Sequence, residues 1–179
     1  MLPVARVAFD AHPDEWVERL ARLFREHPAW RAAARHLSAE ATSSVYFRHR
    51  PGEPFRLEQD ERGTLLLSGA ARDPDLVFRF TPGSIERLEA VRGGIGNFAV
   101  ELFRLLSEAD PDASVDLRIA AGFPRLARRG YVRLLLRAGP RVLAFGATRG
   151  IRTLGALRRL VADLRRPVSE PWEGESRQP

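Results

Sequence analysis

The spacing of apolar residues predicts that the chain begins with helices that are followed by a sheet. A first helix is indicated by apolar residues at helical spacing: Trp16, Leu20, Leu23 and Phe24. Asp10 and Pro13 precede this group, as a capping residue and a first-turn proline commonly do. An alanine-rich second helix is predicted over residues 29–39. We expect this second helix to cover a sheet.

From Thr42 the apolar period changes to two residues, which is typical of half-buried strands. Five strands are predicted, at residues 42–48, 55–58, 64–69, 76–80 and 115–119. Turn-forming residues at 50–53 and 60–63 separate the first three, and the fourth follows after residues 73–75. Because short connections favour antiparallel neighbours, the first four strands are expected to form an antiparallel meander.

Helical spacing returns between and after the last two strands. Residues 81–93, 95–107, 125–137 and 151–166 carry apolar side chains at this spacing. The expected fold class is therefore α+β, an antiparallel five-stranded sheet packed against helices, with an extra C-terminal helix. Residues 1–166 are expected to form a single domain, and residues 167–179, which lack apolar periodicity, a disordered tail.

Composition narrows the class of protein. The chain has 179 residues, 44% of them hydrophobic, which suits one core. No apolar run reaches the roughly 18 residues that a bilayer requires, and residues 1–10 do not resemble a secretory signal, so a cytoplasmic location is expected. The absence of cysteine excludes disulfides, thiolate metal sites and a cysteine nucleophile.

Positive charge is concentrated in one segment. All 29 basic residues are arginine, and residues 118–166 hold 13 of them against one acid, Asp163. Four arginines recur every fourth residue and would form a ridge along one helix: Arg125, Arg129, Arg133 and Arg137. Apolar residues beside the ridge are typical of a helix at an anionic surface, although a solvated face of a core helix has the same pattern. Nucleic acid is a weaker candidate, because exposed aromatic platforms and known binding motifs are missing.

Residues that could perform chemistry are few. The four histidines are not spaced as metal ligands, so no metal site is expected. No serine lies in a nucleophile motif, and lysine is absent. Gly93, Gly94 and Gly96 could approach a phosphate, but they follow a predicted helix and not a strand, which favours a turn between helices. We therefore expect neither catalytic residues nor a cofactor, with an enzyme that uses carboxylates alone as an alternative.

The order of predicted elements resembles the lipid-transfer domain of sterol carrier protein type 2. Residues 75–88 look like that family's strand, short turn and helix, and residues 96–103 resemble the helix that follows. Residues 115–119 would correspond to the last strand and residues 125–137 to the terminal helix. The resemblance extends from about residue 29 to residue 137 and implies a sheet and helices around a tunnel for an apolar chain, without a cofactor.

The leading hypothesis from the sequence is noncatalytic binding, with possible transfer, of a hydrophobic lipid-like ligand, beside a membrane surface. Eight apolar residues are candidates to line the cavity: Phe78, Phe80, Ile85, Leu88, Phe98, Leu102, Leu105 and Phe123. An ordinary packed core would use the same residue types, so only a measured cavity volume distinguishes a ligand site from core packing. The alternative hypothesis is a basic adaptor that binds an acidic membrane surface or a partner protein without a ligand pocket.

Overall fold

The computed structural model describes residues 15–61, 63–139, 142, 144, 147 and 155. In this part of the chain, five strands and six helices follow the order α1 (Glu15–Glu26), α2 (Pro28–Ala34), β1 (Thr42–Phe47), β2 (Arg50–Asp60), β3 (Gly63–Ser68), β4 (Leu76–Phe80), α3 (Pro82–Glu89), α4 (Ile95–Leu105), β5 (Val115–Ile119), α5 (Phe123–Arg128) and α6 (Tyr131–Arg137). The α+β class expected from the sequence is confirmed.

The main core lies between the sheet and the first four helices. Val45 and Phe47 of β1 are completely buried, and the register aligns them with Phe78 and Phe80 of β4 on the same face. Leu20 of α1 packs into the same buried cluster. Strand alternation therefore sends one apolar set toward the helices, as the two-residue period predicted.

The predicted antiparallel meander is wrong in one pairing. The strand order is β3-β2-β1-β4-β5, and β4 pairs with β1 in parallel, so the sheet is mixed. The remaining strand pairs are antiparallel. Hydrogen bonds at the start of β4 explain the difference: Asp75 N–H donates to the Thr42 carbonyl at 2.8 Å, and the Asp75 carboxylate accepts from Thr42 N–H at 3.2 Å. The short β3–β4 connection thus leads β4 past β2 to the free edge of β1.

Two further predictions on local structure need correction. The turn expected at residues 50–53 belongs to β2, which begins at Arg50 directly after a two-residue turn. The single helix expected over residues 125–137 is divided into α5 and α6 by Gly130, whose φ is 93°. A side chain at Gly130 would collide with the His36 carbonyl oxygen, so the break is fixed by a close approach of two backbone segments.

Other predictions fall on residues that the structure does not describe. The expected tail, residues 167–179, lies outside the described residues, and the predicted helix over 151–166 does so except for Gly155. Among the described residues, no helix combines the length and the apolar composition that crossing a bilayer requires.

Candidate functional site

Seven of the eight candidate cavity residues lie in one apolar cluster between β4, α3 and α4. Six of them are buried: Phe78, Phe80, Ile85, Leu88, Phe98 and Leu105. Leu102 is partly buried and packs against this group. Phe123 belongs elsewhere, because it packs in a second cluster with Ile119, Ala121 and Leu126 at the start of α5. Seven of the residues predicted from the sequence therefore lie together, and Phe123 lies apart from them.

Aromatic rings connect the sheet to the helices through this cluster. The rings in contact are, in spatial order, Phe78, Phe80, Phe24, Trp30, Phe98 and His27. Neighbouring centroids are 4.6 to 6.2 Å apart, and most of the pairs are tilted or edge-on, which is the preferred geometry of aromatic contacts. The Trp30 indole N–H is satisfied by the Thr64 hydroxyl at 2.8 Å. The interior between helices and sheet is therefore apolar and ring-lined.

Two neighbouring helices carry apolar side chains that remain incompletely buried. Only Phe98 and Leu105 of α4 are buried, although most of its residues are apolar. No residue of α6 is buried, and Leu136 is 62% exposed. The helices meet at Gly96, where a side chain would place its Cβ 2.5 Å from the Ala138 carbonyl oxygen. Together α4 and α6 form what we call the α4–α6 surface, which adjoins the buried cluster through Leu102.

The four arginines of the predicted ridge divide into two pairs. Arg129 Nη1 lies 2.7 Å from Asp75 Oδ1, and Arg125 Nη1 lies 2.5 Å from Asp73 Oδ2. These two guanidinium groups are largely buried and neutralised by acids of the same chain. Arg133 and Arg137, by contrast, are exposed on α6. The single continuous ridge does not form, because α5 and α6 separate the two pairs.

Asp75 joins α5 and α6 to the sheet. Its carboxylate is completely buried and also lies 2.8 Å from Arg125 Nε, an ion-pair contact without hydrogen-bond alignment. The Tyr131 hydroxyl donates to it at 3.3 Å. Burial, followed by the adjacent Asp75 charge, raises the pKa of Tyr131 well above its usual value. This network holds the first residues of α6 in place.

The glycine motif before α4 forms a turn between helices. Gly93 has a φ of 100°, and Gly94 is the residue that precedes α4. The Asn97 side-chain amide donates to the Arg92 carbonyl at 2.9 Å and closes the turn. Among the described residues, no three histidine, aspartate or glutamate side chains converge as metal ligands would.

Sequence reasoning missed two polar residues, Asp75 and His27. Asp75 immediately precedes an apolar strand, and a carboxylate so close to buried positions was the available signal. His27 Nε2 lies 3.1 Å from the Val91 carbonyl oxygen, whereas its Nδ1 is buried without a hydrogen-bond partner. A histidine between two helices gave no comparable signal.

Comparisons with known proteins find structural similarity but no matching family. No family model matches the chain, and no curated protein matches it significantly. Among solved structures, the chain is similar to "UbiJ-SCP2 Ubiquinone synthesis protein", with a TM-score of 0.41 and 15% identity, over 69% of this chain and 93% of that chain. The likeness concerns the fold alone.

Proposed function

We propose that this protein binds a hydrophobic, lipid-like ligand without transforming it, and that the α4–α6 surface is where the ligand enters. The observation that carries the proposal is the incomplete burial of apolar side chains on both helices. Leu136 is the exposed large apolar residue of this surface, and the apolar side chains around it are half-buried. A lipid or a partner that covers apolar surface recovers the free energy that its contact with water costs. The cytoplasmic location expected from the sequence is part of this proposal.

The buried cluster beneath this surface supplies the ligand's environment. Leu102 is the connection, because it is partly exposed and also packs on the cluster that contains Phe98 and Phe80. An alkyl chain that displaces or passes Leu102 would contact apolar side chains and aromatic rings only. Each methylene transferred from water to such surroundings contributes about 0.8 kcal/mol.

The exposed arginines of α6 support an anionic membrane as the partner of the neighbouring surface. Arg133 and Arg137 are exposed on the helix that carries Leu136. Apolar side chains beside arginines are the pattern of a helix at a lipid interface, where each arginine contributes about 1 kcal/mol near an acidic leaflet. The adaptor hypothesis also places α6 on the membrane or on a partner protein. It differs in one respect, because in that hypothesis the core stays packed and holds no ligand.

A pair of variants on α4 tests the ligand site. We expect Leu102→Trp to abolish uptake of a fluorescent fatty acid with little loss of stability, because the indole would occupy the ligand's path. Leu105→Trp is the matched control: Leu105 is completely buried, so overpacking there should lower the free energy of unfolding by about 1 to 3 kcal/mol. A wild-type protein that takes up no fatty acid, together with a Leu102→Trp variant destabilised like the control, would support the adaptor instead.

Vesicle sedimentation tests the membrane surface. The double variant Arg133→Glu, Arg137→Glu should lose binding to phosphatidylserine-containing vesicles at low salt. The control Arg25→Glu, Arg31→Glu makes the same charge change at exposed positions of α1 and α2 and should retain binding. Equal loss in both variants would show that only net charge matters and would contradict a role for α6.

A further inference from the structure

His27 holds the junction of α1 and α2 against the loop between α3 and α4. It is the residue between the two helices, and its Nε2 contacts the Val91 carbonyl oxygen at 3.1 Å. Its ring lies 5.2 Å from the ring of Phe98, centroid to centroid. His27 is thus the polar end of the series of rings that runs through the apolar cluster.

The contact with Val91 fixes the tautomer of the neutral His27 ring. A carbonyl oxygen can only accept, so Nε2 carries the proton, and in the neutral ring Nδ1 is a hydrogen-bond acceptor. This Nδ1 is buried without a partner, and His27 makes no capping hydrogen bond to α2. A buried acceptor without a donor is unfavourable, so a ligand that brings a donor to this position recovers free energy.

We infer that His27 Nδ1 accepts a hydrogen bond from a hydroxyl group of the bound ligand, which makes the ligand a long-chain alcohol or another lipid with a hydroxyl on its polar end. The inference rests on the proposed function and specifies its ligand class. The neighbouring rings of Phe98 and Trp30 offer only apolar contacts to the rest of such a molecule. One acceptor at the end of a series of apolar rings favours a molecule with one polar end.

Competition between two matched ligands tests the inference. 1-Tetradecanol and tetradecyl methyl ether have the same alkyl chain, but only the alcohol donates a hydrogen bond. Each is titrated against wild-type protein loaded with a fluorescent fatty acid. We expect the alcohol to compete about tenfold more strongly, because the ether leaves Nδ1 without a partner. Equal competition by both would overturn the inference while the proposed function stands, and a protein that binds neither the fatty acid nor the alcohol would overturn both.

Two substitutions separate the acceptor from the structural role of His27. His27→Gln keeps a donor near the position of Nε2 for Val91 and removes the Nδ1 acceptor, so it should bind alcohol and ether equally. His27→Phe removes both contacts and reports the stability contribution of the Val91 hydrogen bond. A His27→Gln protein that folds and still prefers the alcohol would contradict the inference.

A spectroscopic measurement gives an answer that does not depend on substitution. In protein labelled with ¹⁵N-histidine, the Nδ1 resonance of His27 is assigned by its loss in His27→Gln. Addition of 1-tetradecanol should shift this resonance in the direction expected when a ring nitrogen accepts a hydrogen bond. Addition of the ether should leave the resonance unchanged. An Nδ1 resonance that the alcohol leaves unchanged would also overturn the inference.

Discussion

Arg129 Nη1 lies 2.7 Å from Oδ1 of Asp75, and the Asp75 side chain is completely buried. The two residues are 54 positions apart in sequence, so this contact fastens the segment between α5 and α6 to the start of β4. The Arg129 backbone carbonyl also accepts from Ser38 N–H at 3.0 Å. One arginine therefore anchors the amphipathic helix α6 to both the sheet and the segment after α2.

Removal of the Asp75 charge should destabilise the fold strongly. Asp75→Asn would leave the largely buried guanidinium group of Arg129 without a counter-charge and Arg125 with only the exposed Asp73, and an uncompensated buried charge typically costs about 3 to 5 kcal/mol. Asp73→Asn is the matched control, because the Asp73 side chain is 75% exposed and its ion pair should contribute under about 1 kcal/mol. Urea denaturation of both variants measures the difference. Similar midpoints would contradict the anchoring role of Asp75.

Tyr131 should make stability fall at alkaline pH. Its pKa is raised in the folded state by burial and by Asp75, so its contribution is fully present below the unfolded pKa of about 10 and is lost as pH rises from there toward the folded pKa. The chain contains no lysine or cysteine, so tyrosines dominate side-chain titration in this range. We expect the advantage of wild type over Tyr131→Phe to shrink from pH 9 to pH 11.5 in thermal melts. An advantage that stays constant would show that Tyr131 ionises equally in both states.

Gly130 should tolerate no side chain. Gly130→Ala forces a residue with a Cβ into a left-handed conformation and into the His36 carbonyl, so we expect a loss of more than about 2 kcal/mol. Gly52→Ala serves as control, because nothing lies within 4 Å of the position that its Cβ would occupy. Calorimetric melting temperatures compare the two. A Gly130→Ala protein as stable as the control would mean that α5 and α6 can rearrange without cost.

Truncation after Arg166 tests the expectation for residues 167–179. Their proline, glycine and glutamate content and the missing apolar period predict that the domain does not require them. The melting temperature should change by less than about 2 °C, which is under roughly 1 kcal/mol for a protein of this size. A larger decrease would indicate that Trp172 packs on the domain.

Local patterns in the sequence predicted elements better than contacts between them. The alternation around Val45 and Phe47 was sufficient for the strands, because a strand buried on one face must alternate. The partner of β4 could not be predicted this way, since it depends on hydrogen bonds between Asp75 and Thr42, 33 residues apart. Helical spacing likewise continued across Gly130, where a distant carbonyl decides the conformation.

In the candidate site, too, local patterns predicted which side chains are buried but not which residues contact each other. Phe98 and Leu105 were predicted to face the interior, and both are buried there, because helical spacing determines which face is apolar. The same spacing placed Arg125 and Arg129 on an exposed ridge, although both are engaged by acids from the β3–β4 connection. Charge pairing across the fold leaves no periodic signal, so which arginines are free for an external partner could only be learned from the structure.

The parallel pairing of β1 with β4 lies in the middle of the sheet. It joins the strands from the first part of the chain to the strands from the second part. β1, β2 and β3 precede the exposed residues Arg72 and Asp73, and β4 and β5 follow them. Cleavage between these two residues would cut the chain in a connection and leave every strand intact. Each separate fragment would then expose the edge of a central strand, β1 or β4, and its apolar face. Fragments 1–72 and 73–179 are therefore expected to reassemble by noncovalent complementation when they are mixed, with the β1–β4 ladder as their interface.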